Sequence, residues 1–121
     1  MNSRPTRIQL SRRRGFVLQE ASLTINGLLA VKVDRTTKWG NPFITGRDGT
    51  QAECVDLYAK MLGGWLCVTQ GPSLDEQKAA RQYVLAHVEE LRGKNLACWC
   101  RKSPCHAEVL LTLANHKREA A

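Results

Sequence analysis

Three of the chain's five cysteines and one of its three histidines fall within nine residues, in the run Cys98-Trp99-Cys100-Arg101-Lys102-Ser103-Pro104-Cys105-His106. Three thiolates and an imidazole are the soft donors that zinc takes, so Cys98, Cys100, Cys105 and His106 are candidate metal ligands. The spacing is not that of the Cys-x2-Cys knuckles of zinc ribbons. On a strand, Cys98 and Cys100 would share a side with Trp99 opposite, and both could reach one ion where the strand ends. Cys105 and His106 are adjacent and would diverge by about 100° on a helix. Cys98, Cys100 and one of the last two is therefore the easier set. The same residues allow a second chemistry, with Cys105 and His106 catalytic. Cys105 at the second position of a helix would have its thiolate stabilised by the dipole and the free N–H groups. His106 would then be an acid or base, and Arg101 and Lys102 would complete a phosphate-binding surface. The third reading is packing: His106 shares a face with Val109, Leu110 and Leu113, and Cys98 is a small core hydrophobe.

A second constellation is Asp34-Arg35 followed by Lys38-Trp39-Gly40-Asn41-Pro42-Phe43. Gly40 and Asn41 tolerate left-handed backbone and Pro42 holds Asn41 extended. Arg13, Arg35 and Lys38 are the candidate anion ligands, and Trp39 and Asn41 would position a base by stacking and hydrogen bonding. Phe43 reads instead as a plug at the core edge. Arg13 and Arg14 join this surface only if the N-terminal strand lies beside the second one.

The elements that must position these groups follow from pattern. Arg7 to Ser11 alternates as a short strand, and residues 12–26 read as an irregular loop or hairpin. Asn26-Gly27 is a turn signal before a second strand over residues 28–35. Thr50-Gln-Ala-Glu53 is a capping box for a helix over 51–62 that ends at Gly63-Gly64. Ser73-Leu-Asp-Glu76 is another, opening a long helix with Ala80, Val84, His87, Val88 and Leu91 on its apolar face and Gly93 as its stop. Lys94 to Trp99 is the third strand. Ser103 and Pro104 would start a last helix running to about Lys117. The order predicts a single compact α/β domain over residues 7–121, with a small central sheet of about three or four strands flanked by three helices. Residues 1–6 are a basic arm.

The net charge is +7, and its distribution is uneven: residues 1–49 hold nine Lys/Arg against three acids, the remainder nine against eight. Such a field attracts polyanions. No apolar run approaches the roughly 20 residues that span a membrane, and the N-terminus lacks the apolar core of a secretory signal. An odd number of cysteines with a Cys-x-Cys pair argues against a disulfide scaffold and for a reducing cytoplasm.

Three segments together resemble a phage and bacterial family of uncharacterised proteins, the domain of unknown function 4326 family. They are Arg7-Ile-Gln-Leu-Ser-Arg-Arg-Arg-Gly15, Val31-Lys-Val-Asp-Arg-Thr-Thr-Lys-Trp-Gly-Asn-Pro-Phe43 and Leu91-Arg-Gly-Lys-Asn-Leu-Ala-Cys-Trp-Cys-Arg-Lys-Ser-Pro-Cys-His-Ala-Glu-Val-Leu-Leu111. The Cys-His ending also looks, more loosely, like that of the 488 domain family. The resemblance implies no known chemistry, but the joint recurrence of three motifs implies one composite site. Between Gly15 and Val31 this chain carries a few residues more than the pattern.

The functional expectation is a composite site that binds or processes a phosphate-bearing ligand, a nucleotide or nucleic acid, with zinc or a reactive thiol at its centre. The competing expectations are a non-enzymatic nucleic-acid-binding module stapled by a Cys/His cluster and a phage-encoded protein-interaction domain.

Overall fold

The computed structural model describes residues 4–68, 71–100 and 105–115. Its centre is a parallel sheet of β1 (Arg7–Gln9), β2 (Ala30–Lys32) and β3 (Asn95–Cys98), in the spatial order β1-β3-β2. The last strand in sequence thus lies between the other two. Arg7, Ile8 and Gln9 stand opposite Leu96, Ala97 and Cys98, while Ala30, Val31 and Lys32 stand opposite Asn95, Leu96 and Ala97. All four residues of β3 are buried, as a strand covered on both faces requires.

Going from β1 to β2 the chain steps over one position, and going from β2 to β3 it steps back. Parallel crossovers are right-handed, so these two must cover opposite faces. On one face, α1 (Leu18–Asn26) contacts β2, and Ile8, Leu10, Ala30 and Ala97 pack with Phe16 and Leu18. On the other, α2 (Gln51–Leu62), α3 (Leu74–His87) and α4 (His106–Asn115) cover the larger core of Leu96, Cys98, Phe43, Tyr58, Met61, Val84, Leu91 and Leu110. The result is the expected small-sheet α/β domain with a fourth helix. No helix among the described residues is long and apolar enough to cross a membrane.

Both capping boxes form. Thr50 and Ser73 accept from the backbone N–H of Glu53 and Glu76, and those carboxylates accept from the cap N–H groups, each at 2.8 Å. α2 occupies the span its sequence signals predict. α3 stops earlier than expected, at His87, and continues as one 3-10 turn, Val88–Leu91, that keeps Leu91 buried. α1 stands where a loop or hairpin was expected. Its N-cap is Val17, whose side chain makes no capping hydrogen bond, so its start carries no local signature. Asn26-Gly27 stops this helix instead of turning a hairpin: Gly27 has φ +78° and its N–H donates to Leu23 O at 2.8 Å. The expected starting residues of the last helix, Ser103 and Pro104, and its expected end at Lys117 lie outside the described residues.

One buried amide binds three elements. Asn95 Oδ1 accepts from the N–H of Thr6 (2.9 Å) and from Asn26 Nδ2 (2.9 Å). Its Nδ2 donates to Ser22 Oγ (2.7 Å) and Asn26 Oδ1 (2.8 Å). The side chain thus ties the entry of β1 and two turns of α1 to the central strand. Asn95→Ala leaves these buried partners unpaired and is expected to lower the unfolding free energy by about 2–3 kcal/mol. Urea denaturation of the variant beside the wild type measures it, with an unchanged m-value showing that the fold is kept.

Candidate metal centre

β3 ends at Cys98, and the chain returns at Cys105 to begin α4. The Sγ atoms of Cys98, Cys100 and Cys105 all lie within 4.8 Å of one another, with Cys98 and Cys105 at 2.9 Å. Zn–S bonds of about 2.3 Å in a tetrahedron set sulfurs about 3.8 Å apart, so small side-chain rotations close the trio on one ion. Cys98 and Cys105 are fully buried and Cys100 is half-buried. The expected position of Cys105 inside the helix is corrected: it stands immediately before His106 and caps α4. Its Sγ accepts from the N–H of Ala107 (3.4 Å) and its own N–H donates to the Glu108 carboxylate (3.1 Å). The sulfur thus caps the N2 amide while the N3 carboxylate reaches back to the cap, half of a capping box, and the sulfur lies at the positive end of the helix dipole.

Arg7 reaches the cluster from β1. Its Nη1 donates to Cys100 O at 2.6 Å and lies 3.8 Å from Cys98 Sγ. The Cys98 thiol is held well below its ordinary range by hydrogen bonds from Cys100 and Cys105, with Arg7 adding to them against burial. Cys105 is pushed far up by its bonds to Cys100 and Cys98 and then by burial. One thiolate of a metal-free cluster is therefore stabilised by hydrogen bonds from the other two thiols and by Arg7. The Cys105 thiol is pushed in the opposite direction from the one its place at the helix start implies, because its hydrogen bonds to Cys98 and Cys100 favour its protonated form.

His106 is buried against the cluster. Its Nε2 lies 2.5 Å from Val33 O, and since a carbonyl only accepts, Nε2 carries the proton and Nδ1 the lone pair. Nδ1 faces Cys105 Sγ at 3.9 Å, and the ring meets Tyr58 edge-on at 5.5 Å. Burial lowers the imidazole pKa, with the Val33 bond opposing. The three-sulfur group does not include His106.

The loop after β2 is a self-latched brace. Asp34 accepts from the N–H and hydroxyl of Thr36 and from Trp99 Nε1 at 2.8 Å. The Arg35 guanidinium donates to the carbonyls of Asn41 and Phe43. Asn41 is buried; its Nδ2 donates to Cys54 O (2.9 Å) and its Oδ1 accepts from the N–H of Phe43 (2.9 Å). Trp39 is buried with its ring edge-on to Tyr83, and its carbonyl accepts from the Tyr58 hydroxyl. Gly40 is required by contact: a Cβ there would lie 2.6 Å from the Arg35 Cα. Trp39 and Asn41, expected to position a base, are thus engaged within the loop and against α2 and α3. Lys38 is exposed, its Nζ over the Tyr83 ring at 5.5 Å. Arg13 is exposed in the turn after β1, and since β3 separates β1 from β2, Arg13 and Arg14 do not join the Arg35 surface. Arg101 and Lys102 lie outside the described residues.

The three sequence segments nevertheless meet, through other residues: Arg7 on Cys98 and Cys100, His106 on Val33, and Trp99 on Asp34. Sequence reasoning missed Arg7 and Trp99. Trp99's place between two candidate ligands was a signal for it; Arg7 offered none before the sheet order was known.

The family described as "Domain of unknown function (DUF4326)" matches residues 9–116. The chain is also 28% identical over 86 residues to the "Uncharacterized 12.4 kDa protein in nrdA-td intergenic region" of Enterobacteria phage T4, covering 70% of this chain and 67% of that protein. No solved structure matches.

Removing an outer donor to a metal ligand costs about 10–100-fold in affinity. Arg7→Met keeps the apolar stem and is expected to weaken zinc binding at least about tenfold in competition with a chromophoric chelator. Because Arg7 favours the charged form of Cys98, the variant's thiolate absorbance in reduced, metal-free protein is expected to emerge at higher pH.

Proposed function

We propose that this chain, which belongs to the DUF4326 family, is a zinc-bearing α/β domain that binds and processes a phosphate-bearing nucleotide or nucleic acid at the carboxyl edge of its sheet. The observation that carries the reading is the gathering of three cysteine sulfurs within 4.8 Å at the end of the central strand, where open α/β sheets bind ligands. Residues 101–104 are Arg-Lys-Ser-Pro and bring no further thiol, imidazole or carboxylate. Among the described residues the fourth position then falls to His106 Nδ1 or to an oxygen of water or ligand, and since His106 stands outside the group, oxygen is favoured. Three protein ligands and an open position are the pattern of catalytic zinc, which polarises a bound phosphoryl or carbonyl oxygen or acidifies a bound water. Three thiolates on a divalent ion leave one negative charge, which Arg7 offsets. The basic N-terminal half draws the anion in.

The full burial of Cys98 and Cys105 and the capping role of Cys105 favour a second reading, zinc as a structural staple of the α4 terminus. Elemental analysis of tag-free protein is expected to give about one zinc per chain, lost in Cys98→Ser and Cys100→Ser. In the catalytic reading, chelation abolishes processing of the nucleotide while the far-ultraviolet dichroism is kept; in the staple reading it unfolds the domain.

Wild-type protein is also expected to bind a single-stranded oligonucleotide with affinity falling linearly in log salt, at a slope of about 0.7 per phosphate neutralised. Fluorescence polarisation across a salt series checks this, and a flat response counts against an anionic ligand.

A further inference from the structure

We infer that Trp99 and Arg12 form the subsite for one nucleotide unit, the base stacking on the Trp99 ring and its phosphate pairing with Arg12. The inference rests on the phosphate-bearing ligand proposed above and assigns it a place that Trp39 and Asn41 do not provide.

Trp99 is 38% exposed, although it follows a fully buried strand. Its ring is nonetheless held in place, because Nε1 donates at 2.8 Å to Asp34, itself only 4% exposed. A bond to a buried carboxylate fixes the indole before any ligand arrives, so a base stacking on it orders little that is not already ordered. The Arg12 guanidinium carbon sits over the ring, 4.4 Å from its centroid, a cation–π contact that an incoming base displaces, turning Arg12 outward to its phosphate. Beside it opens a cavity of about 640 Å³ lined by Gln9, Leu10, Ser11, Arg12 and Trp99, within the size range of small-ligand sites. The turn that carries Arg12 is shaped by the bond from the Arg13 N–H to Ser11 Oγ (2.9 Å), and Arg12, Arg13 and Arg14 are all exposed. No acid occurs among the first 19 residues to compete for them.

Topology supports the same place. β1 leads into α1 on one face of the sheet, and its neighbour β3 leads into α4 on the other. The gap beyond the carboxyl ends of these two strands is the sheet's switch point, where crevices form because the departing chains diverge. Free nucleotides and unpaired bases of a single strand offer the same chemistry, a planar base with a phosphate beside it.

Calorimetric titration at low salt separates these sources, with 5′-mononucleotides, a short single-stranded oligonucleotide and inorganic phosphate as probes. The proteins are the zinc-loaded wild type, Trp99→Leu, Trp99→Phe and Arg12→Ala. The wild type is expected to bind the mononucleotides or the oligonucleotide more tightly than phosphate. Trp99→Leu should lose about tenfold or more for the base-bearing probe, Trp99→Phe, which keeps a ring but loses the bond to Asp34, should fall between Leu and the wild type, and Arg12→Ala should weaken every probe. Unchanged nucleotide affinity in Trp99→Leu or in Arg12→Ala overturns the subsite and leaves the proposed function standing. Equal affinity for phosphate and nucleotide overturns base recognition. Failure of the wild type to bind any probe overturns both readings. Should Trp99→Leu lose its thermal transition, Arg12→Ala decides alone, since Arg12 is exposed and its removal leaves the core intact.

Discussion

The threading of β3 between two strands made far earlier in the chain is the constraint on which this molecule depends. Its N–H and C=O groups find partners only if β1 and β2 stand on either side in parallel, and both its faces need cover at once. Those demands place α1 on one face and the remaining helices on the other. They also bring the carboxyl ends of β2 and β3 to one edge, so that Val33 and Asp34 reach groups that follow Cys98, while the long Arg7 side chain reaches Cys98 and Cys100 from the start of β1. The buried Asn95 amide pins the opposite end of the strand, and four hydrogen bonds there set its register against α1 and the entry of β1.

The cysteine centre is organised by charge as much as by proximity. Each thiolate brought into the core costs desolvation, and the fold offsets that cost with the Arg7 guanidinium and the amino end of α4. In the metal-free state a thiolate of the cluster is stabilised by the two neighbouring thiols and by Arg7. A divalent ion would draw off the remaining protons and spread the charge over all three sulfurs. His106 stands just behind as a braced neighbour, its Nε2 proton committed to Val33 and its lone pair toward Cys105.

The Arg35-to-Phe43 loop serves this edge mechanically. Its arginine and asparagine bind carbonyls and N–H groups of the same loop and of α2, so a segment without regular structure becomes rigid. Its rigidity matters because β2 ends at the start of it: Val33 and Asp34 supply the acceptors that orient His106 and Trp99. Trp39 and Asn41 are thus spent on packing and bracing, while Trp99 beside the cysteines stays partly exposed.

Local chemistry made part of this legible from sequence. α2 is bounded as predicted because a capping box and a glycine pair are signals carried within a few residues. The cysteines declared themselves by type and spacing, and the α/β class by the alternation of short apolar runs with helical periods. α1 escaped because its first residue has no side-chain cap, and its glycine stop reads equally well as a hairpin turn. Three things belonged to the tertiary structure alone: the order β1-β3-β2, the approach of Arg7 to Cys98, and the choice of which tryptophan is buried and which exposed. Each depends on partners some 60 to 90 positions apart in the chain. No local period or propensity encodes such pairings, which are settled only when both faces of the central strand are covered together.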